Sequence, residues 1–240
     1  MAQPIPQRNQ WDVTSTAVMP GGGIAKRPLH FIIAADGSWS MNGEKMQALN
    51  FAIATMLPQL VDWERAQENA AVLVRALKFD NKAEWHIAEP TPVADVRWQA
   101  LRCEPRALTH MGAAMRLMAS VLTADKLERR ALRPTLLLIT DGIATDDFDG
   151  GLAELLATPG GSAALRIAVA IGPDARNEQL AKFSDPGISV LHADRADQIP
   201  DLLVAVSIAV GQMSVVGGDH NAIAAQLRQR GIDSSDNSYV

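Results

Sequence analysis

"FIIAADGSWSM", residues 31–41, is an apolar run that stops at an acid and is followed at once by two serines spaced two apart. An unbroken run of this kind reads as a strand covered on both faces, since a half-solvated strand alternates apolar with polar residues. Asp36, Ser38 and Ser40 then fall in the loop at the carboxyl end of that strand. Three hard oxygen donors within five residues ask for a chemical role there.

The continuous pattern, Leu29–Ala35 in the first run, recurs at Ala71–Phe79, Pro134–Thr140 and Leu165–Ile171, with a shorter run near Ile188–Asp194. Ala83–Val96 is expected to be an edge strand, because its prolines cannot donate to a ladder on both sides. Helical spacing fills the gaps at Glu44–Leu60, Gly112–Arg130, Gly151–Ala157, Asn177–Phe183 and Asp197–Met213. In the first of these, Met46, Leu49, Phe51, Ile53, Met56 and Leu57 are expected in the core. Strand and helix in alternation predict an α/β fold, doubly wound, with a mostly parallel central sheet and helices on both faces. Residues 1–27, rich in Pro, Gln, Gly and Thr, are expected to form a flexible arm, residues 28–214 the folded domain, and residues 215–240 a polar tail.

With 240 residues, 48% hydrophobic and 20% charged, the chain suits one globular domain with tails. A net charge of −5 argues against nucleic acid or an anionic membrane as partner, since both call for clustered Lys and Arg. Cys103, the single cysteine, excludes an intrachain disulfide and a cysteine-built zinc site, fits a reducing compartment, and is expected on a loop or partly in the core. The first residues lack the basic start and apolar segment of a secretory signal. No apolar stretch reaches the roughly 20 residues that span a bilayer, and the longest, Ile199 to Val216, is interrupted by Asp201 and Ser207. A cytoplasmic location is the expectation.

In open α/β sheets, ligands gather at the carboxyl ends of strands where the strand order reverses. Besides Asp36, Ser38 and Ser40, two more such positions are polar: Thr109, just before the helix at Gly112, and Asp141, at the end of the run Pro134–Thr140. Each alone also reads as a helix cap. Together the five form a set of carboxylate and hydroxyl oxygens suited to a divalent cation, Mg²⁺ first, with Mn²⁺ and Ca²⁺ as alternatives. Two carboxylates balance the charge and neutral hydroxyls fill other positions, so the site stays electrophilic and attracts an acidic group from another molecule.

The pattern Asp36-x-Ser38-x-Ser40, then Thr109, then Asp141-Gly142 resembles the metal-ion-dependent adhesion site of the von Willebrand factor A domain, over roughly Arg27 to Met213. The resemblance implies that the serines and the threonine touch the ion, that the aspartates act directly or through water, and that a protein partner supplies the last ligand. "TDGIATDDF", residues 140–148, with the later "IAVAIGPDARNEQLAKFSD" and "VLHADRADQIPDLL", is similar to the TerY-like bacterial A domains associated with tellurium resistance and stress response. That subgroup is often encoded beside a protein kinase and a PPM-type phosphatase, which implies an adaptor or scaffold in phosphorylation signalling. Two departures stand out: Trp39 replaces the usual glycine between the serines, and Ala107-Leu108 replaces a Gly-rich lead-in to the threonine.

Trp39 either packs under its loop or faces a partner. His110 and Asp146 are further candidate partner contacts, and Asp146 and Asp147 also fit a helix cap ahead of Phe148. Lys126–Arg133 reads as a solvated helix end. An enzyme is the competing class, but a haloacid-dehalogenase type would place an acid where Ser38 stands, and no Gly-x-Ser-x-Gly elbow is present. A regulatory subunit of an ATP-driven chelatase or remodelling complex is the third reading.

Overall fold

Every residue from His30 to Ser38 is buried, so strand β1 (Arg27–Asp36) runs through the middle of the molecule. The computed structural model describes residues 26–216, apart from residues 173, 174, 176, 177 and 187; most of the expected arm and tail lies outside the described residues. Successive residues of β1 feed two different layers. Leu29, Phe31, Ile33 and Ala35 join one core, and Ile32 and Ala34 join another. Such alternation within an all-apolar strand is what a sheet covered on both faces demands.

After β1 come α1 (Glu44–Ala66), β2 (Ala70–Phe79), β3 (Ala83–Pro92), α2 (Met111–Ala119), β4 (Thr135–Thr140), α3 (Phe148–Ala157), α4 (Pro159–Ala163), β5 (Leu165–Ile171), α5 (Glu178–Phe183), β6 (Leu191–Ala193) and α6 (Ile199–Val216). The sheet order is β3-β2-β1-β4-β5-β6. All pairings are parallel except β2 with β3, a hairpin that makes β3 the antiparallel edge. The chain first winds from β1 toward β3 and then restarts on the other side of β1 with β4. The order therefore reverses between β1 and β4, which marks the carboxyl ends of these strands as the place where an open α/β sheet forms its ligand crevice.

Helix α1 packs Met46, Leu49, Ile53, Met56, Leu57 and Leu60 into the first core, together with α6. Phe51, expected in that set, lies off this stripe and is 64% exposed. Helix α2 ends at Ala119, eleven residues before the expected Arg130. Ser120 Oγ bonds back to the Leu117 carbonyl and Lys126 Nζ takes the Ser120 carbonyl, which closes the helix. Beyond it, Val121 and Leu122 turn into the second core. The basic segment that follows is a pinned connection: Arg27 bonds the carbonyls of Arg130 and Ala131, and Arg133 pairs with Asp185. Cys103 is half-buried against the first core, and burial pushes its thiol up to about 11, which makes it a poor nucleophile. Among the described residues, no helix is long and apolar enough to cross a membrane.

Helices α2 and α3 cross at Gly112 and Gly151, where a β-carbon on Gly151 would stand 2.5 Å from the Gly112 carbonyl oxygen and one on Gly112 would stand 2.2 Å from the Asp147 carbonyl oxygen. Backbone, not a flexible side chain, fills both places. Gly112→Ala is expected to destabilise the fold by about 1–3 kcal/mol through overpacking, with the midpoint of urea unfolding as the measurement.

Candidate metal centre

Three loops meet at the crevice. The first leaves β1 at Asp36, whose side chain is completely buried. One carboxylate oxygen accepts the Ser38 amide at 2.7 Å and the other accepts the Thr140 hydroxyl from the end of β4. The loop thus curls over its own acid and is tied to the neighbouring strand. A single turn of 3-10 helix, Trp39–Met41, follows, with Met41 buried beneath it. Gly37 is required here because the stem of Lys78 crosses the place its β-carbon would take, at 2.8 Å, on the way to Asp80.

The third loop leaves β4 at Asp141. Ser38 Oγ stands 3.0 Å from Ser40 Oγ, and Ser40 donates to Asp141 Oδ1 at 2.7 Å. The other oxygen, Oδ2, accepts from Lys45 Nζ at 2.6 Å. Asp36, Ser38, Ser40 and Asp141 are therefore one connected set. Ser40 is exposed while Asp36, Ser38 and Asp141 are buried, so the set opens to solvent on the Ser40 side.

Thr109 arrives from the second loop and is held from two directions. On one side the β2–β3 hairpin tip binds its neighbours: Leu108 N donates to Asn81 Oδ1 at 2.9 Å and His110 N to the Asp80 carbonyl at 2.9 Å. On the other, Thr109 N donates to Thr145 Oγ1 at 3.1 Å, and Thr145 N to the Thr109 carbonyl at 2.9 Å. Its hydroxyl faces the third loop, since a β-carbon on Gly142 would lie 3.5 Å from Thr109 Oγ1. The turn before it is strained, for Arg106 adopts φ 62° behind Pro105, and Trp39 N donates to the Ala107 carbonyl at 3.1 Å. All five sequence-derived candidates thus converge on one crevice.

The remaining candidates divide. Trp39 is 46% exposed, and the other two loops carry one exposed apolar residue each, Leu108 at 49% and Ile143 at 60%. Trp39 and Leu108 each adjoin a candidate ligand in sequence, and Ile143 lies two residues after Asp141. Asp146 spends both oxygens on helix α2, accepting from Gly112 N at 2.9 Å and Ala113 N at 2.8 Å. Asp147 caps α3 through Gly150 N at 3.0 Å, and Arg116 pairs with it at 2.6 Å. His110 precedes α2 and is partly exposed.

Sequence reasoning missed Lys45, Thr145 and the hairpin tip, Asp80 and Asn81. Lys45 left a signal: a cation in the first turn of a helix opposes the helix dipole. The other three act through contacts distant in sequence and left none.

No family model matches the sequence, and no curated protein matches it. Solved structures do share the architecture. A von Willebrand factor type A protein from Catenulispora acidiphila superposes with a TM-score of 0.55 at 14% identity, covering 76% of this chain and 42% of that one. The proximal thread matrix protein 1 from the mussel byssus, solved with a zinc-occupied MIDAS motif, gives 0.58 at 15% identity, covering 78% of this chain and 48% of that one. The pilus adhesin SpaC from Lactobacillus rhamnosus GG gives 0.61 at 12% identity, covering 78% of this chain and 31% of that one. The fold is that of a von Willebrand factor A domain. The chain spans less than half the length of each of these three proteins.

Three hydroxyls and two carboxylates form a hard oxygen set that suits Mg²⁺, Mn²⁺ or Ca²⁺. Among the described residues no group of three or more His, Cys, Asp or Glu is placed to hold an ion, so any cation in the crevice depends on the hydroxyls. Burial pushes the Asp36 carboxyl up from 3.8 to about 6, against the Thr140 and Ser38 hydrogen bonds that favour its ionised form. The folded chain therefore keeps this proton at pH values where the unfolded chain has released it. In ion-free protein Asp36 reduces stability progressively as pH rises from about 4 to 6, and the full penalty persists above that window. Asp36→Asn is expected to be more stable than the parent in EDTA by on the order of 2–3 kcal/mol near neutral pH, and about equal near pH 4. Urea unfolding of both proteins at the two pH values measures the difference.

Proposed function

We propose that the chain is a non-enzymatic protein-binding module whose crevice holds a divalent cation and takes an acidic side chain from a protein partner. The observation that carries this reading is the hydroxyl–carboxylate chain Ser38–Ser40–Asp141, assembled at the strand-order reversal from residues about a hundred positions apart. Ser38, Ser40 and Thr109 would contact the ion through hydroxyl oxygens, with Asp36 and Asp141 behind them or on it. The two serine hydroxyls stand 3.0 Å apart, close enough to serve one small divalent ion, Mg²⁺ first. Bound there, the ion supplies an electrophilic position for an incoming carboxylate oxygen.

The chain's own residues prepare that position. Asp36 and Thr140 lock the first loop to β4, Ser40 orients Asp141, and Thr145 with the hairpin tip fixes Thr109. Exposed Trp39, Leu108 and Ile143, one on each loop, support a protein as the partner, because aromatic side chains are favoured anchors of protein interfaces. His30, near the far end of β1, is buried and bonded to Glu128 at 2.7 Å, away from these loops. The likeness of residues 140–148 to TerY-like domains supports a cytoplasmic scaffold acting beside a protein kinase and a PPM-type phosphatase.

Affinity capture with the tagged full chain tests the proposal. Partners retained in Mg²⁺ are expected to be lost in EDTA and to return when Mg²⁺ is restored. Thr109→Ala is expected to weaken capture roughly 10–100-fold with the fold intact by circular dichroism. Capture that persists unchanged in EDTA overturns the metal bridge.

A further inference from the structure

Lys45 stands where helix electrostatics disfavour it. It is the second residue of α1, at the end where the helix presents partial positive charge and where anions are preferred. Something must offset that cost, and the offset is Asp141. Lys45 Nζ lies 2.6 Å from Asp141 Oδ2, and the Asp141 side chain is 1% exposed while that of Lys45 is 37% exposed. The ammonium also reaches over the carboxyl end of β5, where a β-carbon on Gly172 would stand 3.6 Å from Nζ. Lys45 is thus held over the crevice, with its charge aimed at one candidate ligand.

Its effect follows from what Asp141 has left to give. Oδ1 accepts from Ser40 and Oδ2 from Lys45, so both oxygens are engaged. An ion that takes Asp141 must share its carboxylate with the Lys45 ammonium already held against Oδ2. The crevice contains two carboxylates and one ammonium, which leave a single net negative charge to meet a divalent cation. We infer that Lys45 is a built-in counter-charge: it restrains Asp141, loosens the hold on the cation, and leaves the loaded crevice one charge positive toward an incoming carboxylate. This rests on the metal-bridge reading above. It adds that the protein trades cation affinity for affinity toward an anionic partner.

The alternative is a merely structural ion pair that positions Asp141. The two differ in sign. If Lys45 only positions Asp141, removing it loosens the ligand and weakens cation binding. If it is a counter-charge, removing it strengthens cation binding and weakens the hold on carboxylates. Isothermal titration of Mg²⁺ and of Mn²⁺ into the full chain separates them. Lys45→Met is expected to bind either ion about tenfold more tightly than the parent, while Lys45→Arg, which keeps the charge, is expected to match the parent. With glutarate as carboxylate probe and water-proton relaxation of bound Mn²⁺ as readout, Lys45→Met is expected to take up glutarate more weakly. If Lys45→Met does not fold, Lys45→Gln carries the same comparison. Equal or weaker cation binding in the uncharged variant overturns the counter-charge while leaving the metal reading in place. If neither parent nor variant takes up a cation, the metal reading falls and this inference falls with it.

Discussion

A carboxylate sealed at the end of a fully buried strand is the constraint on which the site depends. Asp36 has no contact with solvent, and the two hydrogen bonds it accepts do not offset the cost of keeping a charge there. The chain nevertheless places it between β2 and β4, in the one crevice where the winding of the sheet reverses. Its charge costs stability, and it sits at the geometric focus of the fold. The loops around it are arranged to keep it there, since Thr140 and the Ser38 amide leave it no freedom to swing out.

That arrangement makes the three loops one mechanical unit. Thr145 ties the loop after β4 to Thr109, Asp146 ties the same loop to the first turn of α2, and the glycine crossing brings α2 and α3 to backbone contact. A shift of Asp141 therefore pulls on α2 as well as on its own loop. Asp146, a candidate for partner contact by its position in sequence, serves this coupling with both of its oxygens.

The layered fold was legible because its cause is local: each central strand is an unbroken apolar run, and continuous burial needs both faces covered. That the five polar candidates come together was legible for a related reason, since polar residues bunched at strand ends stand out against such runs. What was not legible depended on contacts between distant segments. The early end of α2 follows from Lys126 and Ser120 closing the helix and from Leu122 turning to meet Gly160, whose amide bonds the Leu122 carbonyl at 2.9 Å. Phe51 matched helical spacing loosely, and only the packing of α1 against α6 showed that its side of the helix faces water. Lys45 was visible as a charge, but its meaning required knowing that Asp141 lies beside it.

The two rims of the sheet differ in form and agree in effect. One is β3, with Pro90 and Pro92 in its second half and a broken register against β2; the other is β6, only three residues long. Neither offers a long, regular row of unpaired amides and carbonyls on which another chain can extend the ladder. Lateral stacking into fibres is discouraged at both flanks, and molecular recognition is steered away from backbone templating toward side-chain chemistry at the pole.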